Sequence, residues 1–141
     1  MIRKYEDKDL NALLDAWYSA SQVAHPFLNE DFLAQERRAI ADVYLPNAET
    51  WVFESEGVVV GFISLIGNEV GGIFVDANHH SHGIGRALMD HARSIRDCLE
   101  LDVFKDNRVG RRFYEKYGFI QVDEYRHEET GFMQLKLKLP C

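Results

Sequence analysis

The sequence predicts a mixed α/β fold in which a mostly antiparallel sheet of about seven strands carries four helices on its two faces. Apolar residues recur at helical spacing in some segments and alternate with polar residues in others. Three consecutive strand segments in the middle of the chain favour antiparallel pairing, and later strands separated by helices favour some parallel pairing. The 141 residues contain no linker rich in Gly, Ser or Pro, so we expect one domain spanning 1–141.

Four segments have the apolar spacing and end signals of helices. Asp7 can cap the first helix, which must end before Pro26, and Asn29 can cap the second. Two glycines open the third helix, and Gly118 closes the fourth. The predicted helices run from Asp7 to before His25, from Asn29 to before Pro46, from Gly83 to Arg96 and from Asn107 to Tyr117.

Seven segments have the pattern of strands. Val58–Ile66 is apolar enough for a buried strand and lies between turn signals. Phe132–Leu139 alternates apolar and polar residues, as a half-buried strand does. Val70–Val75 contains a glycine pair of the kind that often marks a bulge. The predicted strands are 1–5, Trp51–Phe53, Val58–Ile66, Val70–Val75, Leu99–Phe104, Phe119–Tyr125 and Phe132–Leu139.

Composition excludes several classes of protein. The net charge of -7 argues against a general nucleic-acid binder. No segment approaches the roughly 20 apolar residues that a membrane span needs, and no signal-peptide pattern is present, so we expect a cytoplasmic protein. Cys98 and Cys141 lie far apart in the sequence, and we expect two free thiols in a reducing compartment.

The charge is unevenly distributed along the chain. Residues 83–116 contain eight basic and six acidic residues, so this segment carries +2 and the remainder -9 of the net -7. A locally basic segment suits an anionic ligand, and an acidic remainder suits a cationic one. A solvated helix face would account for the basic segment equally well.

A polar loop links a predicted strand to a helix that opens with Gly83 and Gly85. Unpaired amides at a helix N-terminus bind anions, and glycine lets a phosphate approach the backbone. Leu88 occupies the third glycine position of a Rossmann fingerprint, and Arg86-Ala87 replaces the Lys-Ser/Thr of a P-loop, so both motifs are excluded. Taken alone, the glycine pair could equally form a plain tight turn.

A second motif runs from Asn107 to Phe119. Phe113 and Tyr117 lie one turn apart and share a helix face, whereas Tyr114 points elsewhere. A tyrosine hydroxyl can donate a proton to a thiolate leaving group. The alternative for Tyr114 is an interfacial tyrosine with a packed ring and a solvated hydroxyl.

Together the two motifs resemble the GNAT superfamily of N-acetyltransferases. Its members carry a Gln/Arg-x-x-Gly-x-Gly/Ala loop after the fourth strand, matched here by His80-Ser81-His82-Gly83-Ile84-Gly85. They also carry an Asn followed by Phe-Tyr-x-x-x-Gly-Phe, matched by Asn107 and the segment Phe113–Phe119. The segment His25-Pro26-Phe27-Leu28 further resembles small bacterial members, some of which acetylate protein lysines.

This resemblance implies transfer of an acetyl group from acetyl-CoA, without a metal, by direct attack of a primary amine. The amine could belong to a protein lysine, a protein N-terminus or a small cationic molecule. The implied protein is a monomer or homodimer that binds neither nucleic acid nor membrane. The alternative is a non-catalytic acyl-CoA-binding regulatory module, which would keep the glycine loop but would not need Tyr114 or a base.

The resemblance also implies roles for individual residues. The Val75 amide would stabilise the oxyanion, Tyr114 would protonate the CoA thiolate, and Glu69 is our preferred general base among candidates that include Glu54, Asp102 and His25. The acceptor site would contain His25, Phe27 and Trp51. The implied CoA-binding residues are Phe74, Val75, His80, His82, Gly83, Ile84, Gly85, Arg86, Asn107 and Tyr114.

The glycine loop departs from the family pattern because His80 replaces the usual Gln or Arg. His79, His80 and His82 could suggest a metal site, but only Asp76 is available to complete it, so we expect none. We hypothesise instead that these imidazoles respond to the CoA phosphates. CoA would then bind more tightly below about pH 6.5 than above it.

Overall fold

In the computed structural model, which describes residues 1–141, a seven-stranded sheet packs against helices on both faces. This architecture confirms the predicted fold class. The strands are β1 (Ile2–Lys4), β2 (Glu49–Ser55), β3 (Val58–Ile66), β4 (Glu69–Val75), β5 (Leu99–Phe104), β6 (Ile120–Arg126) and β7 (Met133–Leu139). The helices are α1 (Leu10–Ala24), α2 (Glu30–Ala39), α3 (Leu45–Asn47), α4 (Ile84–Ile95) and α5 (Arg108–Tyr117).

The second predicted helix is divided in the structure. A π-helical turn (Ile40–Tyr44) follows α2, and the one-turn α3 extends past Pro46, where we expected the helix to break. Proline is tolerated there because it lies in the first turn of α3, where no backbone N–H is needed. Asn29 caps α2 as predicted, since its side chain accepts a hydrogen bond from the Phe32 amide.

The strand order is β1-β2-β3-β4-β5-β7-β6, and every neighbouring pair is antiparallel except β4 and β5. The parallel pair is joined in register at one position, Glu69 opposite Glu100. The Glu100 amide also donates to the Asn68 carbonyl at 3.0 Å. Beyond this end the two strands separate, which leaves a cleft in the middle of the sheet.

Two clusters of buried side chains hold the layers together. One lies between the sheet and α4, and includes Ile63, Leu88 and Leu101. The other lies between the sheet and the first two helices, and includes Leu13 and Phe62. β3 supplies residues to both clusters, which explains why its sequence is almost continuously apolar.

Cys98 and Cys141 form a disulfide, so our expectation of two free thiols is wrong. The register of the sheet accounts for the pairing. Leu99 lies opposite Leu139 in the antiparallel pair of β5 and β7, which brings the residues that flank these strands together. The sequence separation of 43 residues gave no indication of this proximity.

None of the helices combines the length and the hydropathy that crossing a lipid bilayer requires.

Candidate active site

The separated ends of β4 and β5 bound a cavity of about 820 Å³. Phe74 and Val75 of β4 line it, as do Asp102 and Phe104 of β5. Residues of α1, α2, α4 and α5 also line it. The loss of hydrogen bonding between the two strands is therefore what creates the cavity.

The free edge of β4 presents backbone groups to this cleft. The Asp76 amide donates to the Val60 carbonyl of β3 at 2.8 Å. Because successive residues of a strand direct their peptide groups to opposite sides, Phe74 also faces β3, whereas Ile73 and Val75 face the cleft. The peptide groups of Phe74 are therefore not available to a ligand in the cleft, so the expected contact of Phe74 with CoA could come only from its side chain. Phe74 contributes its ring to the cavity, and Ile73 takes its place on the strand edge.

The first turn of α4 offers unpaired amides at one end of the cavity. Gly83 has φ +78°, a left-handed conformation that favours glycine. The amides of Ile84, Gly85 and Arg86 have no acceptor within the helix and lie at the positive end of its dipole. A Cβ atom on Gly85 would lie 3.4 Å from the Phe113 ring, so glycine allows close packing there. This turn fits a phosphate or pyrophosphate group.

The histidines before α4 have different environments. His80 Nε2 donates to the Val75 carbonyl at 2.7 Å, and His79 Nδ1 lies 3.1 Å from Asp76 Oδ2. His82 is exposed and has no hydrogen-bonding partner, and its ring centroid lies 6.2 Å from that of His79. The His80 ring is thus hydrogen-bonded to the end of β4, whereas the His82 ring is available to bind an anion.

Asp76 fixes the same loop to α1. Its Oδ1 accepts a hydrogen bond from Ser19 Oγ at 2.7 Å, and Ser19 Oγ accepts one from the Ala77 amide at 2.9 Å. The hydrogen bond from Ser19 is the main cause of a lowered pKa at Asp76, which keeps the carboxylate charged. The loop that leads into α4 is therefore positioned by contacts within the chain.

Asn107 connects α5 with the segment between the first two helices. Its Oδ1 accepts from the Gly110 amide at 2.8 Å, which caps α5, and its Nδ2 lies 3.4 Å from His25 Nε2. A Cβ atom on Gly110 would come within 2.5 Å of Asn107 Nδ2, so glycine provides space for this side chain. Burial lowers the pKa of His25 to about 4, so its ring is neutral near pH 7 and can accept the Asn107 hydrogen bond.

Tyr114 lines the cavity from α5. Its ring packs between Phe113 and Phe119, at centroid distances of 5.5 and 5.7 Å. Burial raises the pKa of Tyr114 well above its usual range, so the hydroxyl is protonated near pH 7. The hydroxyl can therefore donate a hydrogen bond toward the cavity.

The candidate carboxylate bases occupy different places. Asp102 lines the cavity, and its Oδ1 is buried without a hydrogen bond, 3.6 Å from Lys136 Nζ. Glu69 lies at the paired end of β4 outside the cavity lining, and burial together with the charge of Asp102 raises its pKa. Glu54 forms an ion pair with Arg3 at 3.0 Å. Of these three candidate bases, Asp102 is the one that lines the cavity.

Two of the three predicted acceptor residues lie outside the cavity, and His25 alone lines it. Phe27 packs behind Phe104, which lines the cavity, and their ring centroids are 5.6 Å apart. Trp51 lies on the sheet face covered by α4, where its ring is 4.2 Å from that of His91. Successive strand residues point to opposite faces of the sheet. Val52 packs in the cluster beneath the first two helices, so Trp51 points to the other face. These placements correct the expectations for Phe27 and Trp51.

Several residues at the end of the cavity formed by α2 and the loop between β6 and β7 were not predicted from the sequence. Glu36, Tyr44, His127 and Glu129 all line the cavity there. They come from α2, the π-helical turn and the loop between β6 and β7, so no local motif contains them. The one signal available was the helical spacing of Phe32 and Glu36, which places both on one face of α2.

Comparison with known proteins identifies relatives of this architecture. Residues 46–121 match the family model described as acetyltransferase (GNAT) domain. The peptidyl-lysine N-acetyltransferase YiaC of Escherichia coli K12 is 33% identical over 131 residues, which cover 92% of this chain and 90% of the relative. The peptidyl-lysine N-acetyltransferase YjaB of the same organism is 30% identical over 131 residues, with coverages of 92% and 88%.

Solved structures share the fold. The solution structure of apo-form YjaB from Escherichia coli aligns with a TM-score of 0.87 and 26% identity, covering 98% of this chain and 95% of that one. The PaiA N-acetyltransferase of Thermoplasma acidophilum, solved in complex with coenzyme A, aligns with a TM-score of 0.75 and 20% identity over 96% of each chain. The overall fold of this chain is therefore a known architecture.

Proposed function

The chain belongs to the GNAT family of acetyltransferases, and we propose that it transfers the acetyl group of acetyl-CoA to the side-chain amine of protein lysines. Acetyl transfer to an amine follows from the family and from the relatives. The lysine acceptor is the further step, and it rests on two relatives named peptidyl-lysine N-acetyltransferases, each aligned over 92% of this chain.

The observation that carries the proposal is the convergence of three features on one cavity. The cavity contains a free strand edge at Val75, a helix N-terminus at Gly83 and a protonated tyrosine at Tyr114. A pyrophosphate group fits the N-terminus of α4, and an extended pantetheine arm fits the peptide groups of Ile73 and Val75. Acetyl-CoA, when bound, supplies the activated acetyl group as a thioester.

The chain's own groups account for the charges that change during transfer. The Val75 amide faces the cleft and would donate a hydrogen bond to the carbonyl oxygen as negative charge develops there. Tyr114 would donate its hydroxyl proton to the departing thiolate sulfur. Asn107 is already bonded to His25 and Gly110, so we propose that it positions α5 and Tyr114.

We propose Asp102 as the group that accepts the proton of the attacking amine, directly or through one water. Asp102 lines the cavity and its Oδ1 accepts no hydrogen bond, which supports this role over that of Glu69, which lies outside the cavity lining. Lys136 Nζ lies 3.6 Å from the same oxygen and forms an ion pair with it. His25 is neutral near pH 7 and would contact the acceptor as an uncharged group.

Acetylation of a peptide panel tests this function. We expect CoA release and a mass increase with a lysine peptide whose N-terminus is blocked, and no turnover with a free N-terminus in a lysine-free peptide. Tyr114→Phe should lower kcat by about tenfold or more, because general acid catalysis is lost. Tyr117→Phe is the matched control, since its hydroxyl donates to Asp90. Acetylation of the N-terminus alone would contradict the lysine proposal.

A further inference from the structure

We call the end of the cavity formed by α2 and the β6–β7 loop the acceptor end. It carries two carboxylates without a cationic partner. Glu36 of α2 and Glu129 of the β6–β7 loop both line the cavity, and neither takes part in an ion pair. Burial, followed by the charge of Glu129, raises the pKa of Glu36. The charge of Glu36 is in turn the main cause of a raised pKa at Tyr44. Glu36, Tyr44 and Glu129 therefore line one cavity and interact electrostatically, and no cation offsets the charge of the two carboxylates.

The rings of Phe104, His127 and Phe32 form an aromatic wall between Asp102 and these carboxylates. Phe104 lies two residues after Asp102, so both side chains are on the same face of β5. Its ring centroid is 5.3 Å from that of His127, which is 6.2 Å from that of Phe32. Glu36 lies one turn after Phe32 on α2 and shares its face. The wall thus leads from Asp102 to the pair of carboxylates.

The chemistry of acetyl transfer argues against placing the reacting amine beside this pair. An amine attacks a thioester only in its neutral form, and nearby carboxylates stabilise the charged ammonium form. Glu36 and Glu129 therefore suit a second cation that does not react. Glu36 is half-buried and Glu129 is exposed, and two neighbouring carboxylates repel each other unless a cation lies between them.

The dimensions fit a neighbouring residue of the same peptide. In an extended peptide, a residue two positions from the target lysine lies about 7 Å from it. The steps of 5.3 and 6.2 Å between the rings of Phe104, His127 and Phe32 span at most about 11.5 Å, and the side chain of the second residue can cover the remaining difference of about 4 Å. The methylene stem of a lysine or arginine can pack along these rings while its charged end reaches the carboxylates.

We propose that Glu36 and Glu129 select lysines that have a second basic residue, arginine or lysine, one or two positions away in the sequence. The inference rests on the proposed lysine acetyltransferase function and names the class of peptide that the enzyme prefers. The acidic character of the chain outside residues 83–116 agrees with a basic partner.

A series of peptides with blocked N-termini and one target lysine tests the inference. Arginine is placed in turn at each of the four positions within two residues of the lysine, and alanine at the same position is the reference. We expect kcat/KM to be about tenfold higher with arginine than with alanine for at least one position, the effect of about 1.4 kcal/mol of added binding. Spermidine is included as a small molecule with several cations.

The double variant Glu36→Gln and Glu129→Gln should bring the ratio of kcat/KM between the arginine and alanine peptides close to one. Glu128→Gln is the matched control, because Glu128 is exposed, precedes Glu129 and does not line the cavity. This control should keep the full preference, and circular dichroism verifies that each variant is folded. Using the ratio separates the loss of selectivity from a general loss of activity.

Three results would overturn the inference. Equal rates for the arginine and alanine peptides at all four positions would overturn the selectivity and leave the lysine acceptor in place. A preference that survives in the double variant would show that other residues select the basic neighbour. Acetylation of spermidine without turnover of any peptide would overturn the lysine acceptor and the selectivity together.

Discussion

The two ends of the cavity are built in different ways. At the CoA end, the groups that face the ligand are backbone amides, at Val75 on the edge of β4 and at Gly85 in the first turn of α4. At the acceptor end they are side chains, among them Glu36, Asp102 and Glu129, which come from three elements distant in sequence. One end is therefore determined by chain direction and helix position, and the other by the identity of single residues.

This difference explains which substitutions each end tolerates. His80 replaces the usual Gln or Arg of the family loop, yet Gly83 still begins α4 and leaves the first amides of the helix without acceptors. The imidazole is used to bond the end of β4. At the acceptor end, replacing one carboxylate removes a specific charge that no backbone group can restore. We therefore expect large effects of mutation at the acceptor end and small effects at the CoA end.

The largest expected effect is that of Asp102→Asn. The amide cannot accept the proton of the attacking amine, so kcat/KM should fall by about 100-fold or more. Glu100→Gln is a matched control, because Glu100 is on the same strand and lies 3.7 Å from Lys138, as Asp102 lies 3.6 Å from Lys136. Steady-state kinetics with a saturating lysine peptide measure both variants.

Glu69→Gln completes this comparison. A drop of no more than about threefold would agree with its position outside the cavity lining. A fall as large as that of Asp102→Asn would restore Glu69 as the base and would place the catalytic carboxylate at the paired end of the two strands. Equal kcat/KM values for Asp102→Asn and the unmodified protein would show that Asp102 does not accept the proton of the amine.

His25 joins the two ends, since it lines the acceptor end and bonds Asn107 on α5. Burial lowers the pKa of His25 from 6.5 to about 4, so the unfolded chain binds its proton at a higher pH than the folded one. Stability is thus fully present above pH 6.5 and falls as the pH drops toward 4, by up to about 3 kcal/mol.

Urea unfolding at pH 7.5 and pH 4.5 measures this loss. His25→Gln removes the titration, so its free energy of unfolding should depend less on pH than that of the unmodified protein over the same interval. The difference between the two proteins isolates His25 from the carboxylates that also titrate at low pH. The same loss in both proteins would show that the pKa of His25 is not lowered in the folded state.

The sequence carried the CoA end of the site more completely than the acceptor end for a physical reason. A strand, a glycine turn and a helix N-terminus are local features, so the segment from Val75 to Arg86 could be located from its pattern alone. The disulfide and the Glu36–Glu129 pair depend on which distant segments meet. The sheet register that joins Cys98 to Cys141 cannot be obtained from local spacing.

The errors at single residues have a related cause. Phe74 and Trp51 were placed on strands correctly, but their roles depend on which side of the strand each group faces. Phe74 turns its peptide groups to β3, and Trp51 turns its ring to α4. A period of two residues decides such orientations, and a shift of one position reverses them. Knowing the strand order was needed before either residue could be assigned.

The smallest expected effect lies at the CoA end, at the exposed His82. This ring has no hydrogen-bonding partner and lies beside the N-terminus of α4, so it can donate a hydrogen bond to a phosphate there. His82→Ala should therefore weaken the binding of CoA by about threefold. Isothermal titration calorimetry measures both proteins, and added salt should weaken CoA binding in both. Equal dissociation constants for the variant and the unmodified protein would show that backbone amides alone determine phosphate affinity.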